Sequence, residues 1–320
     1  TVLNFKMLIG LIGKPSSGKS TFFKAATLAE VEIAAYPFTT IKPNHGVGYV
    51  RVDCADKYFD TKCQPKHGFC INGQRFIPIE LLDVAGLVPG AHKGKGLGNQ
   101  FLDDLRQADL FIHIVDVSGE TDSEGKPTKN HEVTKDIEFL EDELNRWFFN
   151  ILLKAWKGFA RKAEQQDISF AESVEKQFSG LKVKQEQVKK VMTILDFKEN
   201  PSRWSEEQLF EFASRLRKES KPMIIAANKI DMEKGKANYK ALKSKFPELI
   251  IIPCSSDFEL ALREAAKSNL IKYVPGDGHF EILKDLNEKQ KQALDKIKEG
   301  VLEEFGNTGV QKILNSAVFE

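Results

Sequence analysis

The sequence predicts an α/β fold: a doubly wound, mainly parallel sheet interrupted by an α-helical insertion. Three observations predict it. Short apolar runs of strand length recur with turn residues at their carboxyl ends, at Met7–Ile12, Phe76–Leu82, Phe111–Asp116, Met223–Ala227 and Leu249–Pro253. The run Gly13-Lys14-Pro15-Ser16-Ser17-Gly18-Lys19-Ser20 follows the first of them directly and leads into a helix-like segment, Thr21 to Leu28. About a hundred residues between the third and fourth strands carry helical spacing instead.

The run from Gly13 to Ser20 fits G-x-x-x-x-G-K-[ST], in the strand, loop, helix setting of a P-loop NTPase. Backbone N–H groups from Gly13 to Thr21, with the positive end of the following helix, point at phosphates. Lys19 reaches the terminal phosphates as a point charge, and the Ser20 hydroxyl can ligate Mg²⁺. A glycine-rich turn with a chance Lys-Ser is the bland alternative, which the flanking elements disfavour. The implied ligand is a nucleoside triphosphate.

The second strand ends at Asp83-Val84-Ala85-Gly86. There Asp83 can hold Mg²⁺ through water, and Gly86 can offer its backbone N–H to a γ-phosphate. The fourth strand leads into Asn228-Lys229-Ile230-Asp231. The Asp231 carboxylate can accept from the N1–H and the exocyclic amine of guanine, a donor pair that adenine lacks. Lys229 can lay its stem along the base, and Asn228 can tie this loop to the phosphate loop. The fifth strand delivers Cys254-Ser255-Ser256, where a backbone N–H is expected to meet guanine O6. Between the first two motifs lies Thr39-Thr40, a pair in which one threonine can complete a Mg²⁺ shell; simple turn chemistry is the alternative.

Two longer stretches carry a resemblance. Tyr36-Pro-Phe-Thr-Thr-Ile-Lys-Pro-Asn44 and the run from Asp83 to Leu102, with its five glycines from Gly86 to Gly98, resemble the Obg family of translation-factor-type GTPases. Within it the chain resembles the YchF-like, archaeal-type branch. The resemblance implies that Thr40, twenty residues after Ser20, is the Mg²⁺-associated threonine. It makes Lys19 and Thr40 the catalytic candidates, Ser20, Thr40 and Asp83 the metal set, Mg²⁺ the cofactor, and GTP and GDP the nucleotides. K⁺ is a candidate second cofactor, with Ser16 standing where some relatives carry the Asn that helps hold it. It further implies a role at the ribosome or on RNA, and a TGS module beyond residue 320. YchF proteins usually prefer ATP and carry a degenerate base motif; Asn228, Lys229 and Asp231 favour GTP here, leaving an ATPase as one alternative.

Leu87 occupies the position that holds a water-orienting Gln in Ras-like enzymes. Leucine cannot hydrogen-bond a water, so slow intrinsic turnover is expected, and no general base is assigned. The glycine-rich stretch from Gly90 to Gly98 carries His92, Lys93 and Lys95; it reads as a conformational switch. A nucleotide-gated binding module with negligible hydrolysis is the other alternative.

Lys and Arg number 47 against 46 Asp and Glu, leaving a formal charge of +1 and no overall polyanion-binding character. No apolar stretch approaches a membrane span, and the reading is a cytoplasmic monomer with no membrane partner. Cys54, Cys63 and Cys70 fall close together with His67, but intervals of eight, three and two residues contain no C-x-x-C pair. Buried thiols are favoured over a zinc site, with a Cys54–Cys63 bridge as a further option.

The domain expectation is a nucleotide domain at 1–118 and 221–273, a helical insertion at 119–220, and a helical linker at 274–320. Residues 119–129 read as a loop; helical spacing starts at Asp136, and further helices are expected over Phe170–Gly180, Lys184–Leu195, after a capping box at Ser205-Glu206-Glu207-Gln208, and over Leu286–Phe305. The lysine-rich stretches 154–162 and 182–190 read as solvated helix faces rather than RNA contacts, and Trp147, Phe148, Phe149 and Trp156 as packing residues.

Overall fold

Side-chain alternation along one strand sets the architecture. In β1 (Leu8–Ile12), Ile9 and Leu11 face one layer of core while Leu8 and Ile12 face another. A computed structural model describes residues 7–27, 45–59, 61–84, 86–90, 105–165, 168–197 and 200–320. In it β1 lies inside a seven-stranded sheet with β2 (His45–Asp53), β3 (Phe69–Ile71), β4 (Gln74–Asp83), β5 (Leu110–Asp116), β6 (Met223–Asn228) and β7 (Ile251–Cys254). The order is β2-β4-β1-β5-β6-β7, with β3 on β4. Strands β4, β1, β5, β6 and β7 run parallel; β2 and β3 pair antiparallel with β4. The chain leaves β1 for one half of the sheet and returns to the other half at β5, so the loop after β1 sits where the strand order reverses. Ligands of doubly wound sheets bind at that place.

One face is covered by α1 (Lys19–Thr27), through Phe22, Ala25 and Ala26, and by the C-terminal helix Val310–Phe319, through Val310, Ile313, Leu314 and Ala317. The segment expected as a linker is therefore partly core: its last helix packs on β2, and Gln311 donates to the Tyr49 carbonyl at 2.9 Å. Apolar residues at helical spacing carry this packing.

The other face meets the insertion. Helices Thr134–Glu164, Phe170–Gln177, Gln185–Leu195 and Glu206–Ser220 enclose Trp147, Phe148, Trp156, Phe178, Trp204 and Phe212 in one cluster that continues into Leu8, Ile12, Leu82 and Phe111 of the sheet. Trp156 and Trp204 stack at 5.5 Å, and Trp156 Nε1 donates to the Pro201 carbonyl at 3.1 Å. These aromatics pack helices, as the sequence suggests. The insertion shares its core with the sheet instead of holding a separate one. The capping box forms: Ser205 Oγ accepts from the Gln208 N–H at 3.2 Å, and the Gln208 side chain accepts from the Ser205 N–H at 2.9 Å. Residues 119–129 form a loop closed by a bridge between Thr121 and Pro127. The expected 170–180 helix ends at Gln177 and passes into a tighter turn at Ser179–Leu181. The helix expected over Leu286–Phe305 starts at Glu288, where Asn287 caps it, and widens into a π-turn over Lys298–Leu302. No described helix is long and apolar enough to cross a membrane.

Candidate nucleotide site

Five parallel strands end on one side of the sheet, and the sequence motifs sit at those ends. After β1 the loop folds through three positive-φ residues, Gly13 (151°), Ser16 (61°) and Gly18 (93°). A Cβ on Gly13 would lie 2.5 Å from the Ile114 carbonyl oxygen, so only glycine fits so close to β5. Lys19 begins α1 and curls back, its Nζ donating to the Lys14 carbonyl at 3.3 Å. Burial lowers the Lys19 pKa, and Asp83 opposes that shift. Ser20, one residue on, donates from its hydroxyl to Asp83 Oδ2 at 3.2 Å. Burial raises the Asp83 pKa against the pull of Ser20 and Lys19. Hydroxyl and carboxylate oxygens side by side are the hard donors that Mg²⁺ takes, so this pair fits that ion.

Lys14 departs from its sequence reading. Its side chain is buried and turned away from the loop's hollow, pairing with Asp136 at 2.8 Å and donating to the Thr121 carbonyl at 2.6 Å. Only its backbone remains for phosphate. Asp136 also meets His131 Nε2 at 2.8 Å, so the start of the insertion is tied to the phosphate loop through Lys14. Pro15 braces the same loop, since a Cβ on Gly86 or on Gly125 would collide with it. Thr21 lies in the first turn of α1.

The Asn-Lys-x-Asp loop is woven into the same structure. Asn228 Nδ2 donates to the Ser17 carbonyl at 2.9 Å, while its Oδ1 accepts from the Ser256 N–H at 3.0 Å and hydroxyl at 2.9 Å. Lys229 holds a left-handed backbone (φ 66°) and donates to the Ser16 carbonyl at 3.0 Å and to Asp116 Oδ2 at 2.8 Å. Asp231 Oδ1 accepts from the Ser255 hydroxyl at 2.6 Å. Asn228 thus ties the base loop to the phosphate loop, as its sequence position suggests.

Ser255 and Ser256 differ from expectation. The Ser255 N–H donates to the Thr308 carbonyl at 2.9 Å, and the Ser256 N–H is taken by Asn228. Neither amide is left for a base oxygen, because the C-terminal segment and Asn228 have claimed them. Their part is to set Asp231 and Asn228. Leu87 is 2% exposed and packs into the core beside Val84, while its N–H donates to the Gly13 carbonyl at 3.0 Å. Thr39, Thr40, His92, Lys93 and Lys95 lie outside the described residues.

Asp116, ending β5, was not singled out from the sequence. It is fully buried and accepts from Lys229, from Thr121 Oγ1 at 2.8 Å and from Ser118 Oγ at 2.6 Å. Those hydrogen bonds outweigh its burial and hold its pKa below the ordinary value. An acidic residue at the carboxyl end of a buried strand, as at Asp83, was the available signal. His113, beneath the phosphate loop, is wholly buried; burial first, then Lys19 and Lys14, push its pKa down to about 3.

A phosphate loop at a topological switch point, cross-linked to an Asn-Lys-x-Asp loop two strands away, defines the class as P-loop nucleotide-binding proteins. Residues 8–154 match the family described as 50S ribosome-binding GTPase, and residues 226–320 the one described as Obg-like GTPase YGR210-like, G4 motif-containing domain. An uncharacterized GTP-binding protein of Methanocaldococcus jannaschii is 48% identical over 98% of this chain and 79% of its own. The crystal structure of a GTP binding protein from Pyrococcus horikoshii superposes with a TM-score of 0.77 at 39% identity, covering 98% of this chain and 78% of that one. A ribosome-binding ATPase YchF of Mycoplasma genitalium is 37% identical over 49% of this chain and 41% of its own. The chain belongs to the Obg family of P-loop GTPases, in its YchF-like branch.

Proposed function

We propose that this protein binds GTP in preference to ATP and hydrolyses it slowly as a nucleotide switch acting at the ribosome. The observation that carries the reading is the Asp231 carboxylate, fixed by the Ser255 hydroxyl on a loop that Asn228 and Lys229 bind to the phosphate loop. A carboxylate held in one orientation discriminates guanine from adenine, because an adenine base would leave it without donors. Lys229 is positioned by Asp116, its stem free to lie along the base.

The loop amides from Gly13 to Thr21 take the phosphates, and Gly86, packed on Pro15, brings its N–H toward the terminal one. Lys19 exchanges the Lys14 carbonyl for a phosphate oxygen, trading a long hydrogen bond to a neutral oxygen for an ion pair. Ser20 and Asp83 would hold Mg²⁺ with Thr40, and that ion supplies neutralisation of charge on the phosphate oxygens. Catalysis then rests on positioning and electrostatics. Leu87, buried in the core, orients no water, so turnover is slow until a partner or another segment supplies that group. The names of the family model and of the YchF relative support the ribosome as that partner.

The test is equilibrium binding of Mg²⁺-GTP, GDP and ATP to the protein and to Asp231→Ala. A guanine preference of about tenfold or more, about 1.4 kcal/mol, that disappears in the variant supports the reading. Equal or tighter ATP binding overturns it in favour of a YchF-like ATPase. Hydrolysis undetectable even with Mg²⁺, K⁺ and ribosomes leaves a binding module gated by occupancy.

A further inference from the structure

Away from the nucleotide site, the end of the β2–β4 ribbon brings three cysteines together. Cys54 follows the last residue of β2, Cys63 lies in the loop after the short helix Asp56–Phe59, and Cys70 lies in β3. Their Sγ atoms all stand within 4.8 Å of one another, and all three are free thiols. A tetrahedral zinc site with Zn–S of about 2.3 Å needs thiolates about 3.8 Å apart, so closing the trio on an ion takes shifts of about 1 Å or less. The backbone around it is already fixed. The Asn72-Gly73 turn, with φ of 50° and 71°, closes the β3–β4 hairpin and sets Cys70 across from Arg75. The Cys54 N–H donates to the Gly73 carbonyl at 2.9 Å.

Two charged groups border the thiols, and each has an atom that its surroundings leave unsatisfied. Cys70 Sγ stands 3.8 Å from Asp56 Oδ2, while Asp56 Oδ1 is buried without a hydrogen-bond partner. Arg75 Nη2 donates to the His67 carbonyl at 2.7 Å, and its Nη1 is buried without a partner. A buried carboxylate oxygen with no donor, on a residue that touches the Cys70 thiol, is costly unless a cation sits beside it. Three thiolates and the Asp56 carboxylate around a divalent ion carry two net negative charges, of which Arg75 offsets one.

We propose that Cys54, Cys63 and Cys70 form a structural binding site for a thiophilic divalent cation of the zinc class. Its fourth position is an oxygen donor, the Asp56 carboxylate or a water held by it. Each thiol gives up its proton to solvent when the ion enters. The ion staples the loop 54–68 to the β3–β4 hairpin. Arg51, three residues before Cys54, anchors the same strand to Asp277 at 2.6 Å, so both the ion and the C-terminal segment fix the far end of β2.

The test uses the whole protein, reduced and stripped of metal, titrated with Co²⁺ as the spectroscopic probe, with zinc content of the protein as purified measured in parallel. The expected result is one equivalent of Co²⁺ bound, with thiolate-to-cobalt charge-transfer absorption and tetrahedral d–d bands. Zinc displaces it, and Cys63→Ser and Cys70→Ser each lose the charge-transfer band while keeping the parent circular dichroism. Absence of the band in the reduced parent protein overturns the proposal without reference to any variant. So does a band that survives in both variants. A Cys54–Cys63 disulfide in the purified protein, with no Co²⁺ binding after its reduction, would assign the trio to redox chemistry instead.

Discussion

The Ser20 hydroxyl and the Asp83 carboxylate meet at 3.2 Å, joining the first turn of α1 to the carboxyl end of β4. The two residues are 63 positions apart in the chain, yet β1 and β4 are parallel neighbours, with Leu11 beside Asp83 in register. The pairing puts a neutral oxygen and an anionic oxygen where Lys19 also lies, and burial already weakens the ionised form of Asp83. A cation between them would remove that penalty.

Asp83→Asn should therefore weaken GTP binding only when Mg²⁺ is present. Losing a charged partner is worth about 1.5–3 kcal/mol, or roughly tenfold to a hundredfold in affinity. Calorimetric titrations with Mg²⁺ and with chelator check this. An equal loss in both conditions would mean that Asp83 supports the loop fold and not an ion.

Leu87→Gln should not create a faster enzyme. The side chain at this position is in the core, so an amide there would be buried without partners, costing about 1–3 kcal/mol of stability. Urea denaturation should show the loss, and single-turnover GTP hydrolysis should show no gain. A gain of tenfold or more would mean that residue 87 can turn toward the phosphates.

Much of the site was legible because its motifs are local. The loop from Gly13 to Ser20, Asp83 and Asn228-Lys229-Ile230-Asp231 each follow a strand that the apolar runs disclose. What sequence could not give is which atoms are already spent. Lys14 belongs to an ion pair with Asp136, more than a hundred residues on, and the Ser255 amide belongs to Thr308. Both partners come from segments whose docking depends on tertiary packing. The antiparallel strand β2 escaped notice for another reason. Its glycines and mixed polarity give no clean alternation, and it is held by its pairing with β4 and the helix Val310–Phe319.

Asp116→Ala should cost both stability and guanine affinity. Removing the carboxylate strands Lys229, Thr121 and Ser118, and a broken buried charge pair costs about 3–5 kcal/mol. Lys229 would also lose one of the two anchors that position it. Thermal unfolding and GDP titration should both shift; an unchanged GDP affinity in a folded variant would show that the Ser16 carbonyl alone suffices to hold Lys229.

His113 should make the protein less stable in mild acid. Its folded pKa of about 3 lies below the unfolded value of 6.5, so the unfolded chain binds a proton that the folded chain excludes. Stability is then fully present above about pH 6.5 and falls by at most about 1.4 kcal/mol per pH unit as pH drops toward the folded pKa. Urea midpoints at about pH 7 and about pH 5, compared with those of His113→Asn, isolate the contribution, since the variant cannot take up that proton. Equal pH dependence in the two proteins would mean that the imidazole is protonated in the fold as readily as in the unfolded chain.

The C-terminal helix should be indispensable to the nucleotide domain. Gly309 adopts φ 90°, and a Cβ there would collide with the Pro253 carbonyl at the end of β7. Thr308, just before it, supplies the carbonyl for the Ser255 N–H and donates from its hydroxyl to the buried Glu259, which also accepts from Tyr273 at 2.8 Å. Gly309→Val should force this segment off β7 and expose Val310, Ile313 and Leu314, each worth about 1.5–3 kcal/mol when fully buried. The Ser255 amide would lose its acceptor, and the Ser255 hydroxyl that fixes Asp231 would shift with it. Weaker discrimination of GTP from ATP should therefore accompany the fall in stability. Intact discrimination in a destabilised variant would separate the tail's packing role from any hold on the base loop.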